Sequence, residues 1–212
     1  MNPPAVDLRR QPATETADPL ALPMDEAVRL EPFRLMDDSA AAHWSTAVRV
    51  AFTAGHLHVV YDCGDDDAWG TFARRDDPLW QEEVVELFLF PGEATPACYY
   101  EIEVSPLGAL FDARVENPRG DRIGMIVDTG WNCDGIRWRV ERLPERQDWR
   151  ARLAIPWRGI GLEHAPRFLR ANFFRVERPR DGAEEFSGWS PTLTTPPDFH
   201  RPKSFGLLRF FD

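Results

Sequence analysis

The chain has 212 residues, of which 25 are Lys or Arg and 35 are Asp or Glu, which gives a formal net charge of −10. This acidic balance argues against a nucleic-acid backbone or an anionic membrane surface as the main partner. No run of about 20 apolar residues occurs, so no transmembrane helix is predicted. A chain of this length fits one all-β domain or two small ones.

The N-terminal segment, residues 1–25, is rich in Pro, Ala, Thr and Asp and shows little periodicity. It predicts an extended or disordered arm that can dock on a domain spanning residues 26–212. The arm lacks an apolar stretch of signal-peptide length, and the three cysteines, Cys63, Cys98 and Cys133, have the odd number and spacing of free thiols. The sequence as written therefore predicts a cytoplasmic protein, or a secreted one if a leader was removed.

From residue 26 onward, strand-like runs alternate with loops rich in Gly, Pro and Asp. Runs of β-branched, aromatic or alternating residues predict strands at 47–52, 57–61, 84–90, 99–104, 109–115, 136–143, 149–155, 169–177 and 205–211. The one helical piece predicted is short, around Trp157 to Leu162. This succession predicts an all-β fold, an antiparallel β-sandwich, rather than an α/β fold.

Two of the eight tryptophans lie in loop-like surroundings. Trp80 precedes the strand-like run 84–90, and Trp189 lies among turn-forming residues. A loop is a poor place to bury a large ring and a good place to present a flat apolar face to a ligand such as a sugar. The simpler interpretation is that both rings close the ends of the core.

Carboxylates follow the first of these tryptophans. Strand alternation predicts that Glu86 shares a face with Phe88 and Phe90, beside Glu101 and Glu103 on a paired strand. Such a carboxylate can accept hydrogen bonds from vicinal hydroxyls. Two further hypotheses stay open: a strand-face ion pair between Glu86 and Arg114, Arg175 or Arg178, and glycoside hydrolysis by Glu86 with Glu101 or Glu103.

A run of acidic residues, Asp65, Asp66 and Asp67, follows the strand predicted at 57–61. Clustered carboxylates in loops are ligands that calcium prefers, although the spacing does not match an EF-hand. The sequence therefore offers both a weak calcium site and a solvated turn at this position.

Four groups of residues occur together in the order found in a known family. They are Asp-Asp-Pro-Leu-Trp at 76–80 running into Glu-Leu-Phe at 86–88, Tyr-Tyr-Glu-Ile-Glu-Val-Ser-Pro-Leu-Gly at 99–108 with Asp112, Trp-Arg-Ala-Arg-Leu-Ala-Ile-Pro-Trp at 149–157, and 172–175 followed by 189–192 and 199–206. Over about residues 40–212 the chain resembles the family 9 carbohydrate-binding modules and their family 9-like relatives, within the DOMON-like β-sandwich superfamily.

The resemblance implies a β-sandwich that binds a mono- or oligosaccharide non-covalently between two tryptophans, at the reducing end of a glucan or xylan, with structural calcium and no required cofactor. By motif, Trp80 and Trp189 would be the stacking rings and Glu86 the acidic partner, with Arg114 and Asn172 as weaker hydroxyl contacts. Neither nucleic acid nor a membrane is an expected partner. Two alternatives remain: a haem-binding electron-transfer domain, as in some DOMON-like relatives, and an interaction module with a vestigial pocket.

Overall fold

The structure of the protein is a computed structural model that describes residues 2–12 and 18–212. The described residues form fourteen strands. In chain order they are β1 Ala5–Arg9, β2 Val28–Leu30, β3 Arg34–Leu35, β4 Thr46–Phe52, β5 His56–Gly64, β6 Val84–Pro91, β7 Cys98–Val104, β8 Leu110–Glu116, β9 Ile126–Asp128, β10 Arg137–Leu143, β11 Asp148–Pro156, β12 Phe168–Glu177, β13 Glu185–Gly188 and β14 Gly206–Phe211. Short 3-10 helices span Pro19–Ala21, Leu79–Gln81, Pro144–Arg146, Trp157–Ile160 and Pro202–Ser204.

The strands form two sheets that pack as a sandwich, which confirms the predicted fold class. The larger sheet has the order β1-β14-β12-β6-β7-β8-β9, with β13 on the second half of β12 and β3 on β13. The smaller sheet has the order β10-β11-β5-β4-β2. Strand pairs are antiparallel throughout the described residues, except that β1 lies parallel to β14.

Each of the nine predicted strands corresponds to an observed strand, and the short helical piece is the 3-10 helix Trp157–Ile160. The sequence did not predict β2, β3, β9 and β13, because two to four residues are too few to show a period of two. Part of the predicted arm is β1, an edge strand of the larger sheet whose Leu8 is buried. Residues 1 and 13–17 of that arm lie outside the described residues. Among the described residues, no helix is long and apolar enough to span a membrane.

Strand alternation builds an apolar layer on each face of the larger sheet. On β6, Val85 and Leu87 face the main core between the sheets, whereas Val84 and Phe88 belong to a second apolar cluster. Loops cover this outer cluster, so residues that point away from the smaller sheet are buried as well. Glu86 lies between Val84 and Phe88 on this covered face.

Candidate functional site

A cavity of about 310 Å³ opens beside the outer apolar cluster of the larger sheet; we call it the Trp80 pocket. Its lining combines aromatic rings, two carboxylates, two arginines and a histidine. The lining residues are Trp80, Glu86, Glu101, Phe111, Arg122, Met125, Val127, Val176, Arg178, Phe186, Pro197, Phe199 and His200. This mixture of apolar walls and a few convergent polar groups is typical of a small-molecule site.

Trp80 forms one wall of the pocket. The 3-10 helix Leu79–Gln81 directs neighbouring side chains in opposite ways: Leu79 is buried, and 43% of Trp80 is exposed. The indole ring packs edge-to-face on Phe111 with 5.1 Å between ring centroids. The exposed part of the ring remains available to a ligand, as the sequence predicted for this residue.

Three carboxyl groups meet beside the pocket. In the β6–β7 pairing, Glu86 lies directly opposite Glu103, and Phe88 lies opposite Glu101. One oxygen from each glutamate lies within 4.8 Å of the others. Glu86 and Glu101 line the pocket and Glu103 lies behind them, fully buried. The predicted placement of Glu86 beside Glu101 and Glu103 is therefore observed.

Burial changes the protonation of this glutamate cluster. Desolvation raises the pKa of Glu101 to about 7, and it raises the pKa values of Glu86 and Glu103 well above their ordinary range. Repulsion among the three carboxylates acts in the same direction for Glu86 and Glu103. Both carboxyl oxygens of Glu103 are buried without a side-chain cation among the described residues, and their polar neighbours are the Glu101 carboxyl and the Trp80 backbone. The cluster therefore retains protons at neutral pH unless a cation compensates its charge.

A hydrogen-bonded network forms the wall on the side of His200. The Nδ1 atom of His200 lies 2.8 Å from the Tyr99 hydroxyl, and the Asn117 amide donates to the His200 carbonyl at 3.0 Å. Asp198 accepts from the His200 backbone N–H at 3.0 Å and from Arg122 Nε at 2.6 Å. Burial lowers the pKa of His200 to about 3, so this ring is neutral at pH 7.

Trp189 lies at a different cavity, of about 340 Å³, which Trp80 does not line. Its backbone N–H donates to the Phe173 carbonyl at 2.9 Å, and its ring packs edge-to-face on Phe173 at 5.8 Å. The ring also covers Gly206, where an added Cβ would collide with it. The structure therefore does not bring Trp80 and Trp189 together around one ligand, because Trp189 is held against β12 and β14.

Arg114 and Asn172 also lie away from the Trp80 pocket lining. Arg114 is on β8, one residue out of phase with Phe111 and Ala113, and its guanidinium pairs with Glu116 at 3.1 Å. Asn172 is fully buried, and its amide group donates to the Ser190 carbonyl at 2.8 Å and accepts from the Ser190 N–H at 3.1 Å. Asn172 therefore anchors the loop after Trp189.

The aspartates predicted as weak calcium ligands face different partners. Asp65 is buried beside Arg175, with 3.3 Å between Oδ2 and Nη2, and also accepts from the Asp67 N–H at 2.9 Å. The Asp67 carboxylate pairs with Arg180, and Asp66 is exposed. These three residues do not fit a single calcium site, because their carboxylates do not converge. Structural calcium stays a prediction without a site at these positions.

Asp65 instead belongs to a buried cluster centred on Arg175. One oxygen from each of three carboxyls lies within 4.8 Å of the others: Asp65, Glu83 and Glu177. Arg175 is 1% exposed, pairs with Asp65 and Glu177, and donates to the Gly64 carbonyl at 3.0 Å and the Thr46 hydroxyl at 3.2 Å. Desolvation raises the pKa of Glu83 to about 9. The Arg175 guanidinium therefore already provides the positive charge that a metal ion would bring to these carboxyls.

Several residues that line the pocket were not predicted from the sequence. Phe111 lies on β8 and Phe186 on β13, and Arg122 lies in a loop with a positive φ of 65°. No periodic or spacing signal marks such residues. The haem alternative would need methionine and histidine as ligands to the iron. Met36 is buried in the outer apolar cluster of the larger sheet, whereas Met125 lines the Trp80 pocket together with His200.

Comparisons with known proteins agree with the fold. The sequence profile of the family described as carbohydrate-binding family 9 matches residues 34–210. A protein of Arthroderma benhamiae described as an extracellular protein is 27% identical over 139 residues, which are 62% of this chain and 63% of that protein. The match thus spans less than two thirds of that relative's length.

Three solved structures share the whole architecture. A protein of Bacteroides uniformis that has been assigned to carbohydrate binding superposes with a TM-score of 0.72 at 17% identity, covering 98% of this chain and 99% of that chain. A family 9 carbohydrate-binding module of Caldicellulosiruptor kristjanssonii, in complex with cellotriose, gives a TM-score of 0.61 at 11% identity, covering 97% and 93%. The complex with glucose gives 0.60 at 11%, covering 98% and 95%.

Proposed function

The chain belongs to carbohydrate-binding family 9, and we propose that it binds a saccharide non-covalently in the Trp80 pocket. The observation that carries this proposal is the half-exposed Trp80 ring beside the buried carboxyls of Glu86 and Glu101. The solved family 9 modules with cellotriose and glucose support a mono- or oligosaccharide of glucose as the first ligand to test.

In this proposal, the sugar's C–H face stacks on Trp80 while its hydroxyls exchange hydrogen bonds with Glu86 and Glu101. A protonated carboxyl donates one hydrogen bond and accepts others, so it matches a hydroxyl group in either direction. Stacking on one ring contributes about 1 kcal/mol. Affinities in the micromolar to millimolar range are therefore expected.

The proposal involves no catalysis. Hydrolysis requires two carboxyls about 5–10 Å apart on either side of the scissile bond. One oxygen from each glutamate lies within 4.8 Å of the others, and Glu86 is directly opposite Glu103 on the neighbouring strand. Glu86 and Glu101 come from adjacent strands of one sheet and line the same pocket, so both carboxyls reach a ligand from the same side, which suits binding.

Calorimetric titration with glucose, cellobiose, cellotriose, xylose and xylobiose tests the proposal. We expect saturable binding of at least one sugar and about a fivefold loss of affinity in Trp80→Ala, because about 1 kcal/mol of stacking is removed. Trp131→Ala is the matched control, since Trp131 stacks on Tyr100 at 4.5 Å and does not line the pocket. Unchanged affinity in a folded Trp80→Ala variant would reject the pocket.

Trp189→Ala separates this proposal from the predicted clamp. Binding in the Trp80 pocket alone predicts affinity within twofold of wild type, because Trp189 lines another cavity. A loss of affinity equal to that of Trp80→Ala would support binding of the sugar between both tryptophans instead.

Two further titrations test the remaining details. The alditol of cellotriose tests recognition of a reducing end, and addition of a chelator tests whether binding needs calcium.

A further inference from the structure

The glutamate cluster of the Trp80 pocket consists of three buried carboxyls that have no paired cation among the described residues. Glu86, Glu101 and Glu103 are 3%, 6% and 0% exposed, and their nearest oxygens lie within 4.8 Å of one another. Glu103 lies within the cluster, and no arginine, lysine or histidine side chain bonds to its buried oxygens among the described residues; the polar groups beside it are the Glu101 carboxyl and the Trp80 backbone. A buried carboxylate normally has a paired cation or several donors.

The cations that line the pocket already have carboxylates of their own. Arg122 donates from Nε to Asp198 at 2.6 Å, and Arg178 pairs with Glu184. His200 lies 4.0 Å from Glu101 through Nε2 but is neutral at pH 7, since burial lowers its pKa to about 3. Among the described residues, the wall therefore leaves three carboxyls without a dedicated cation.

The other polar groups that face the cluster do not supply the missing positive charge. Burial raises the pKa of Tyr99 above its ordinary value, so its hydroxyl is neutral and bonds to His200. Arg122 attracts Glu86 and Glu101 from a distance, but half of its side chain is exposed and solvent weakens the effect. The site can therefore accept a positive charge.

The walls favour an organic cation over a metal ion. Four aromatic rings line the pocket beside the carboxyls, from Trp80, Phe111, Phe186 and Phe199. Ammonium groups bind well against aromatic faces and carboxylates together. Calcium needs about 6–8 oxygen ligands, whereas the described residues around this cluster supply mainly three carboxyls and aromatic carbon.

We propose that the saccharide bound in the Trp80 pocket carries a protonated amino group, as in a 2-amino-2-deoxy sugar, which the glutamate cluster recognises. This inference rests on the proposed saccharide binding and names its ligand class. The ammonium donates to Glu86 and Glu101, and its charge also stabilises the ionised form of Glu103 behind them.

Recognition of a cation by protonated carboxyls releases protons. Because burial raises the pKa of Glu101 to about 7 and those of its neighbours higher, the free cluster holds protons that a bound ammonium displaces. A neutral sugar displaces none. Proton release thus distinguishes the two ligand classes in the same pocket.

Four sugars are titrated separately into the protein at pH 6.5: glucosamine, its β-1,4-linked disaccharide, glucose and cellobiose. Calorimetry in two buffers of different ionisation enthalpy measures both the affinity and the number of protons released. We expect the amino sugar to bind at least tenfold tighter than its neutral counterpart and to release protons on binding. In Glu101→Gln and Glu103→Gln, the ratio of amino-sugar to neutral-sugar affinity should fall toward one. Glu116→Gln is the control, since Glu116 pairs with Arg114 away from the pocket.

The outcomes separate this inference from the proposed function. Tighter binding of glucose or cellobiose than of the amino sugars rejects the amino-sugar inference and leaves saccharide binding intact. Absence of binding by both classes rejects the proposed function and the inference with it. Binding of calcium alone that disappears in Glu101→Gln identifies a metal site and also rejects the inference.

Discussion

At the scale of single residues, the buried glutamates decide the chemistry of the pocket. Glu103 is fully buried, and its pKa is raised well above the ordinary value by desolvation and by Glu86 and Glu101. A carboxyl whose pKa is higher in the folded state stabilises the fold fully below its unfolded pKa, and this contribution is lost as pH rises. The folded protein therefore takes up a proton at this position.

Glu103→Gln should stabilise the protein increasingly as pH rises from about 4.5 to 8, because the amide needs no proton to be neutral. The gain is at most about 1.4 kcal/mol for each pH unit. Urea unfolding at several pH values measures it, with Glu116→Gln as an exposed control. A difference from wild type that is constant with pH, or a variant less stable at pH 8, would contradict the assigned protonation.

At the scale of elements, one arginine links the two sheets. Arg175 lies on β12 of the larger sheet and donates to Thr46 and Gly64, on β4 and β5 of the smaller sheet. It also pairs with Asp65 and Glu177, which are buried. Removing one partner of a buried ion pair leaves an uncompensated charge in the interior.

Arg175→Met should therefore lower the free energy of unfolding by about 3–5 kcal/mol at pH 7. The penalty should shrink at low pH, where protonated carboxyls no longer need the guanidinium. Arg209→Met is the matched control, because the Arg209–Asp7 pair is at the surface and contributes about 0–1 kcal/mol. Equal effects of the two substitutions in chemical denaturation would refute the role of Arg175 as a cross-link.

At the scale of the whole molecule, the N-terminal segment joins both layers of the sandwich. β1 pairs with β14 in the larger sheet, and the next residues reach the smaller sheet, where the Gln11 N–H donates to the Phe52 carbonyl at 2.9 Å. Leu8 is 1% exposed and packs in the main core. This segment therefore bridges the two sheets at one edge of the sandwich.

Leu8→Ala should destabilise the protein by about 2–4 kcal/mol, because it leaves a cavity in the main core. Asp7→Ala, at the exposed neighbouring position of β1, should change stability by less than about 1 kcal/mol. Thermal unfolding of both variants compares them directly. An unchanged melting temperature in Leu8→Ala would show that the core contact of β1 does not stabilise the fold.

The sequence alone determined the fold class, nine strands and the common face of Glu101 and Glu103 within one strand, because a period of two and the turn residues between strands are local signals. The pairing of β6 with β7, which sets Glu86 opposite Glu103, was decided by the tertiary structure. Only the tertiary structure decided which loops meet over that face. Trp80 and Trp189 have similar loop surroundings, yet one borders the glutamates and the other packs on Phe173 and Gly206. Asn172 and Asp65, predicted as ligand contacts, became internal partners because long-range packing surrounds them with protein groups.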